Sequence, residues 1–371
     1  MKLQIAIVLI AVCAGSAAAT GQNLINLSAA SGWQACAVLS GDGPARLACF
    51  DQWASQQVDA PLSPTQAPVV APVVITITPP DTHDCKNPEF SETSRFWELE
   101  AGSDCGTLGI RGYRPISLSW IGSNSVNTQP SSPSPEHTAL TAQPYSTSET
   151  RIQLSVRTKI MQGLLTHNQA LKRDSLWFGY TQQSYWQLFN GDLSRPFRTT
   201  DHEPEITYIY PTDAQLLGGW RWRYSGASLV HQSNGQTLPL SRSWNRVMLM
   251  TGVEKGDQFK LQARLWKRLN EDPLTDDNPG ISDLIGRGEL AGFWNVNPNN
   301  TLGVTVRHSL RDNANGSVRL EWFKKVGDGG APAHKSGLRL HTQLFSGYGD
   351  SLVDYNRQRT VLSVGLSLVD W

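Results

Sequence analysis

Between Trp220 and Arg246, in WRWRYSGASLVHQSNGQTLPLSRSWNR, a serine, an imidazole and a carboxamide stand at spacings that suit nucleophilic catalysis. A serine hydroxyl attacks poorly until a neighbouring imidazole takes its proton, and Ser233 lies two residues after His231. On a strand that spacing puts both on one face, together with Ala227 and Leu229. A turn around Gly235 to Leu240 and a returning strand put Asn245 on the same face as Val247 and Leu249. Asn245 is then placed to fix the tautomer of His231, as the carboxylate does in Ser-His-Asp enzymes, but a neutral amide orients the ring without stabilising its cation. The shared face is the apolar one, where three polar groups are costly unless they hydrogen-bond one another or do chemistry. Other hydrolase patterns fail: there is no G-x-S-x-G elbow, and His202-Glu203 is followed by Pro204 and Ile206, which spoil a helical zinc-protease motif.

The elements that must carry these residues are strands. In Arg151 to Gln162 the apolar Ile152, Leu154, Val156 and Ile160 alternate with Gln153, Ser155, Arg157 and Lys159. The same period of two runs through Leu302, Val304 and Val306, through Leu338, Leu340 and Leu344, and through Leu362, Val364, Leu366 and Leu368. A soluble sandwich also alternates. Here, however, the polar face is heavily charged (Arg157, Lys159, Arg307, Arg319, Glu321, Arg339), as a hydrated lumen requires, and 13 Trp with 9 Tyr could furnish interface girdles. The final residue is the aromatic Trp371, similar to the terminal signal of bacterial outer membrane barrels. In a bilayer such a sheet must close, because lipid satisfies no strand edge.

The remaining composition bounds the function. With 32 Lys+Arg against 32 Asp+Glu in 371 residues, nothing in the net charge favours nucleic acid. Only 39% of residues are hydrophobic, and after the leader no run of eighteen or more apolar residues could form a helical span. Lys2, the apolar Leu3 to Cys13 and Ala17-Ala18-Ala19 read as a cleaved signal peptide over 1–19. Of the cysteines left, Cys36, Cys49, Cys85 and Cys105, three connectivities are open, the local pairs Cys36–Cys49 and Cys85–Cys105 being the simplest. Residues 20–59 form a small disulfide-stapled module, 60–90 a Pro/Val-rich linker, and 95–371 the strand-rich domain.

His-x-Ser alone is an ordinary polar pair on a strand, but the wider pattern is more specific. H-x-S-N-G followed by S-R-S-W-N-R, with twelve residues from Ser233 to Asn245, resembles the catalytic signature of the outer membrane phospholipase A family. Tyr180 to Gln187 (YTQQSYWQ) and Phe345 to Asn356 (FSGYGDSLVDYN) resemble two further blocks of that family, with weaker matches at Pro196-Phe197-Arg198, Glu203-Pro204 and Thr275 to Pro279.

The resemblance covers residues 95 to the end. It implies an all-β, antiparallel transmembrane β-barrel of about 12 strands in the bacterial outer membrane, a phospholipid substrate, hydrolysis of acyl esters and activation by homodimerisation with Ca2+. By the same resemblance, the oxyanion meets the main-chain N–H of Gly235 and a water polarised by calcium. The calcium ligands are the Ser241 hydroxyl, the Gln236 carbonyl and, from a second subunit, the Ser194 carbonyl, while Gln182 is a polar dimer contact. Leu238 stands where the family often has an acidic residue, which argues against a second, monomer-bound calcium site using Asp277. The competing reading is a non-catalytic, porin-like channel.

Overall fold

A computed structural model describes residues 34–37, 41–58, 87–167, 169, 172–312, 314–327 and 337–369. The expected signal peptide, most of the linker and Trp371 lie outside the described residues. The chain divides into two compact units, Met1–Thr76 and Ile77–Trp371. In the first, α1 (Gln34–Ala37) and α2 (Gly43–Val58) are joined by the Cys36–Cys49 disulfide, as the local pairing anticipated. Asp42 caps α2 by accepting the Ala45 N–H at 3.1 Å. In the second unit Cys105 is also disulfide-bonded; Cys85 lies outside the described residues. No described helix is long and apolar enough to cross a membrane.

The second unit opens with α3 (Glu92–Trp97) and continues as strands: β1 (Ile110–Gly112), β2 (Ile116–Ser123), β3 (Ser148–Gln162), β4 (Ser175–Trp186), β5 (Phe197–Gln215), β6 (Arg221–Ser233), β7 (Ser243–Lys255), β8 (Phe259–Arg268), β9 (Gly288–Asn297), β10 (Asn300–His308), β11 (Gly316–Lys325), β12 (Leu338–Gly347) and β13 (Arg359–Leu368). Each pairs antiparallel with its sequence neighbour from β2 onward, and β13 returns to β2, closing the sheet. β1 and β2 pair with adjacent stretches of β3, so they form one stave interrupted at Tyr113 to Pro115, and the barrel has the expected twelve staves.

The alternation places greasy side chains outside and charge inside. Leu302, Val304, Leu320, Leu344, Leu362 and Leu366 are exposed, while Glu149, Arg151, Arg157 and Lys159 are buried. Buried charges must be paired, and the lumen supplies partners. Glu203 sits between Arg114 at 2.5 Å and Arg246 at 2.7 Å, Glu289 between Arg264 at 3.0 Å and Arg307 at 2.9 Å, and Asp354 between Arg198 at 3.1 Å and Arg359 at 3.0 Å.

Two apolar clusters fill the ends of the lumen. At the end with the shorter turns, α3 carries Trp97 in among Leu99, Tyr113, Trp177, Ile209 and Tyr224. Ser91 accepts the Ser94 N–H to start that helix, and Glu98, buried and left-handed at φ 52°, ends it against Lys159 at 2.6 Å. At the other end, where the long connections 124–147, 187–196, 234–242, 269–287 and 348–358 gather, Trp244 packs with Ile281, Ile285, Leu352 and Tyr355. A cavity of about 240 Å³ lies between, lined by charged groups such as Arg151, Glu203, Arg264 and Arg319. A porin-like channel needs an open lumen; this one is occupied by side chains.

Candidate active site

β6 and β7 carry the residues singled out by the sequence, at the long-connection end. Their register sets His231 directly opposite Asn245, and Ser233 opposite Ser243. Val230 and Met248 point inward at 3% and 5% exposure, while Leu229 and Leu249 point outward at 58% and 62%. His231, Ser233 and Asn245 share the parity of Leu229 and Leu249, so all three stand on the outer wall.

His231 Nδ1 is 2.8 Å from Asn245 Oδ1. Because that oxygen only accepts, Nδ1 carries the proton and Nε2 presents a lone pair. Ser233 lies one pleat along on the same face, but its hydroxyl makes no hydrogen bond among the described residues. The imidazole and the carboxamide are thus brought together, and the serine is adjacent rather than engaged. Hydrogen bonds of this kind commonly tighten only with substrate in place. On the other side of β6, Pro204 lacks an N–H, and the ladder between β5 and β6 skips Glu203 and Pro204, opposite Gln232 and His231.

The connection 234–242 is held by one buried amide. Asn234 Nδ2 donates to the Leu240 carbonyl at 2.7 Å, and its Oδ1 accepts from the Arg242 N–H at 2.9 Å and the Gln236 N–H at 3.3 Å. This clamp sets Gly235 at φ +60°, a conformation that costs glycine nothing, and leaves its N–H without a partner among the described residues.

The expected calcium ligands fall into two places. Ser241 Oγ donates to Asp277 Oδ2 at 2.8 Å, and the same carboxylate accepts from Ser243 Oγ at 3.2 Å and lies 3.2 Å from His137 Nε2. Gln236 sends its side chain to the Arg198 carbonyl at 3.1 Å and leaves its own carbonyl without a hydrogen bond among the described residues. The Ser194 carbonyl, in the 187–196 connection, accepts Trp186 Nε1–H at 2.6 Å. Gln182 is on the outer face of β4, between the Tyr180 hydroxyl at 3.2 Å and Ser184 Oγ at 3.2 Å.

Sequence reasoning overlooked three neighbours. Asp277 was weighed only for a site of its own, whereas it braces Ser241. Arg242, fully buried, donates to the Ser241 carbonyl at 2.6 Å and the His137 carbonyl at 3.0 Å, tying 124–147 to the site connection. His202 was set aside with the failed zinc motif, yet it stands opposite Ser233 on the outer wall. The period-two pattern His202, Pro204, Ile206, Tyr208 already held that information.

Residues 93–368 match the sequence pattern of the phospholipase A1 family. The chain is 33% identical over 368 residues to a putative phospholipase A1 of Neisseria meningitidis, covering 90% of each protein. Among solved structures, the outer membrane phospholipase A of Escherichia coli matches with a TM-score of 0.60 at 30% identity, covering 71% of this chain and 99% of that one. The calcium-bound dimer of the Salmonella typhi outer membrane phospholipase matches with a TM-score of 0.59 at 28% identity, over 71% of this chain and 93% of that one. With a closed barrel, a filled lumen and these likenesses in sequence and structure, the chain belongs to the outer membrane phospholipase A family, carboxylic ester hydrolases built on an outer membrane β-barrel.

Proposed function

We propose that this enzyme cleaves the acyl esters of membrane phospholipids with Ser233 as nucleophile, His231 as general base and Asn245 as the residue that orients the base, in a calcium-assisted homodimer. The observation that carries the reading is the 2.8 Å pairing of His231 Nδ1 with Asn245 Oδ1 on the lipid-facing wall, beside Ser233. With Nδ1–H donated to Asn245, His231 Nε2 takes the Ser233 proton as Oγ adds to the ester carbonyl. Collapse of the tetrahedral adduct expels the lysophospholipid alkoxide, which recovers that proton from His231. Water, deprotonated by the same nitrogen, then cleaves the acyl-serine to release fatty acid and restore Ser233. The Gly235 N–H, without a protein partner among the described residues, is the main-chain donor for the oxyanion.

The oxygen set fits a hard cation. By giving its proton to Asp277, Ser241 keeps its lone pairs open, and the nearby carboxylate adds negative charge. The Gln236 carbonyl faces no competing donor among the described residues, and the Ser194 carbonyl of a second copy retains a lone pair beyond that used by Trp186. Calcium bound there would supply positive charge beside the developing oxyanion. The calcium-bound dimer of the Salmonella typhi relative supports this reading, and Gln182 is the polar group proposed to meet its counterpart across the dimer.

The test is hydrolysis of a phospholipid by refolded protein in detergent, with calcium titrated and cross-linking read in parallel. Ser233→Ala is expected to fall to background while the barrel stays folded, and chelation to lower rate and dimer fraction together. Full activity in Ser233→Ala refutes the nucleophile; a rate indifferent to chelation refutes the calcium assignment.

A further inference from the structure

Ser233 has an imidazole on each of two sides. His231 lies two residues back on the same strand, and His202 lies directly across on β5. The pleat sends His202 outward with Ile206, while Asp201, Glu203 and Glu205 are buried in the lumen. Neighbours fix its ring. Nδ1 is 2.7 Å from the Tyr180 hydroxyl, and the two rings stack with centroids 6.2 Å apart and planes 29° from parallel. The opposite edge faces Gly235: a β-carbon placed on that glycine would sit 3.6 Å from both His202 Cδ2 and His202 Nε2. Nε2 itself makes no hydrogen bond among the described residues.

The tautomer turns on where the Tyr180 hydroxyl sends its proton. Tyr180 has one proton and two neighbours, His202 Nδ1 at 2.7 Å and Gln182 Oε1 at 3.2 Å. In one arrangement the hydroxyl donates to Gln182 Oε1 and accepts from His202 Nδ1–H; in the other it donates along the shorter contact to His202 Nδ1. The Gln182 amide, whose oxygen and nitrogen exchange by a half-turn, then donates to the Tyr180 oxygen. In that second arrangement His202 bears its own proton on Nε2, the ring edge that faces Gly235. His231 has the reverse arrangement, since Asn245 accepts from its Nδ1 and leaves Nε2 bare. With Tyr180 donating to His202, one of the two imidazoles beside the serine takes a proton and the other offers a hydrogen bond.

We propose that Tyr180 donates to His202 Nδ1 and that the resulting His202 Nε2–H is a second side of the oxyanion site, donating with the Gly235 N–H to the ester carbonyl oxygen as Ser233 adds to the carbon. The inference rests on Ser233 being the nucleophile. His202 loses no proton in the step: the Ser233 proton goes to His231, and the carbonyl π-electrons move to the oxygen that His202 and Gly235 hold. Tyr180 is a positioning residue, acting through the tautomer of His202.

The test uses refolded full-length enzyme at saturating calcium. His202→Phe keeps the ring and removes the N–H; kcat is expected to fall about 100-fold, the lower end of what one oxyanion donor contributes, with KM within about threefold and dimer fraction unchanged. Tyr180→Phe is expected to lower kcat about fivefold alone and to add nothing in the His202→Phe background, the signature of a shared function. Labelling of Ser233 by a long-chain sulfonyl fluoride should slow in parallel. An unchanged kcat in His202→Phe overturns the proposal, as does a loss of rate that tracks loss of dimer or of folded barrel. Ser233→Ala separates the two readings: if it is inert while His202→Phe runs at full rate, only the role of His202 fails; if it is fully active, the nucleophile assignment fails first.

Discussion

Asn245→Ala probes the site most directly, because the structure assigns the lost interaction a definite size. The substitution removes one acceptor, Oδ1, from one donor, Nδ1–H, at 2.8 Å on an accessible outer wall. Both groups are neutral before proton transfer, and a neutral hydrogen bond contributes about 0.5–1.5 kcal/mol net. No carboxylate charge is lost that would otherwise stabilise the imidazolium, so the penalty is confined to ordering the ring and its tautomer. At about 1.4 kcal/mol per factor of ten, kcat should fall by about two- to twelve-fold. That is far less than the roughly 10⁴-fold cost of neutralising the aspartate in a Ser-His-Asp site. His231→Ala, which removes the proposed base itself, should cost about 10²- to 10⁴-fold. The assay is steady-state ester hydrolysis at saturating calcium, with dimer fraction held constant by cross-linking controls. A loss beyond about 10³-fold in Asn245→Ala, equal to that of His231→Ala, would show that the carboxamide does more than orient and would refute the reasoning.

Further outcomes follow from the same geometry. Gly235→Ala forces an alanine to φ +60°, about 1 kcal/mol of strain, while its new methyl meets His202 at an ordinary 3.6 Å; kcat should drop about fivefold with KM little altered. Glu203→Gln leaves Arg114 and Arg246 without their shared carboxylate, and the midpoint of denaturant unfolding should fall by the equivalent of about 3 kcal/mol, the low end for breaking a buried pair. Asp174, in the turn before β4, is pushed upward by burial but held below the usual carboxylate range by donors from Thr166, Tyr208 and Leu165. A lowered native value means that its stabilisation is complete above the ordinary carboxylate range and lost as pH falls through that native value. The acid limb of a melting-temperature profile should therefore flatten in Asp174→Asn.

The barrel was legible because its strands obey one rule for their whole length: Leu302, Val304 and Val306 outward, their neighbours inward. The same rule placed His231, Ser233 and Asn245 on one face without knowledge of register, since parity survives any even shift. Register itself decided more. That His202 lies across from Ser233 depends on how β5, with its ladder broken at Pro204, aligns against β6, and neither strand announces that alignment. Asp277 is likewise distant in sequence from Ser241 and meets it only because the 269–287 connection folds back over the barrel mouth. The interrupted stave at Tyr113 to Pro115 was equally hidden, because its cause is packing: Tyr113 turns in to join the cluster around Trp97. Of the two cysteine pairs anticipated, Cys36–Cys49 is seen, and Cys105 is bonded as expected.

An enzyme whose proposed reactive groups look out from a wall, with its bore stoppered at both ends, would meet its substrate by a search confined to a plane. What then governs turnover is the number of molecules per unit area of the surrounding film, not the number per litre. Inert amphiphile added at constant bulk lipid should dilute the reaction as surely as water dilutes an ordinary solute.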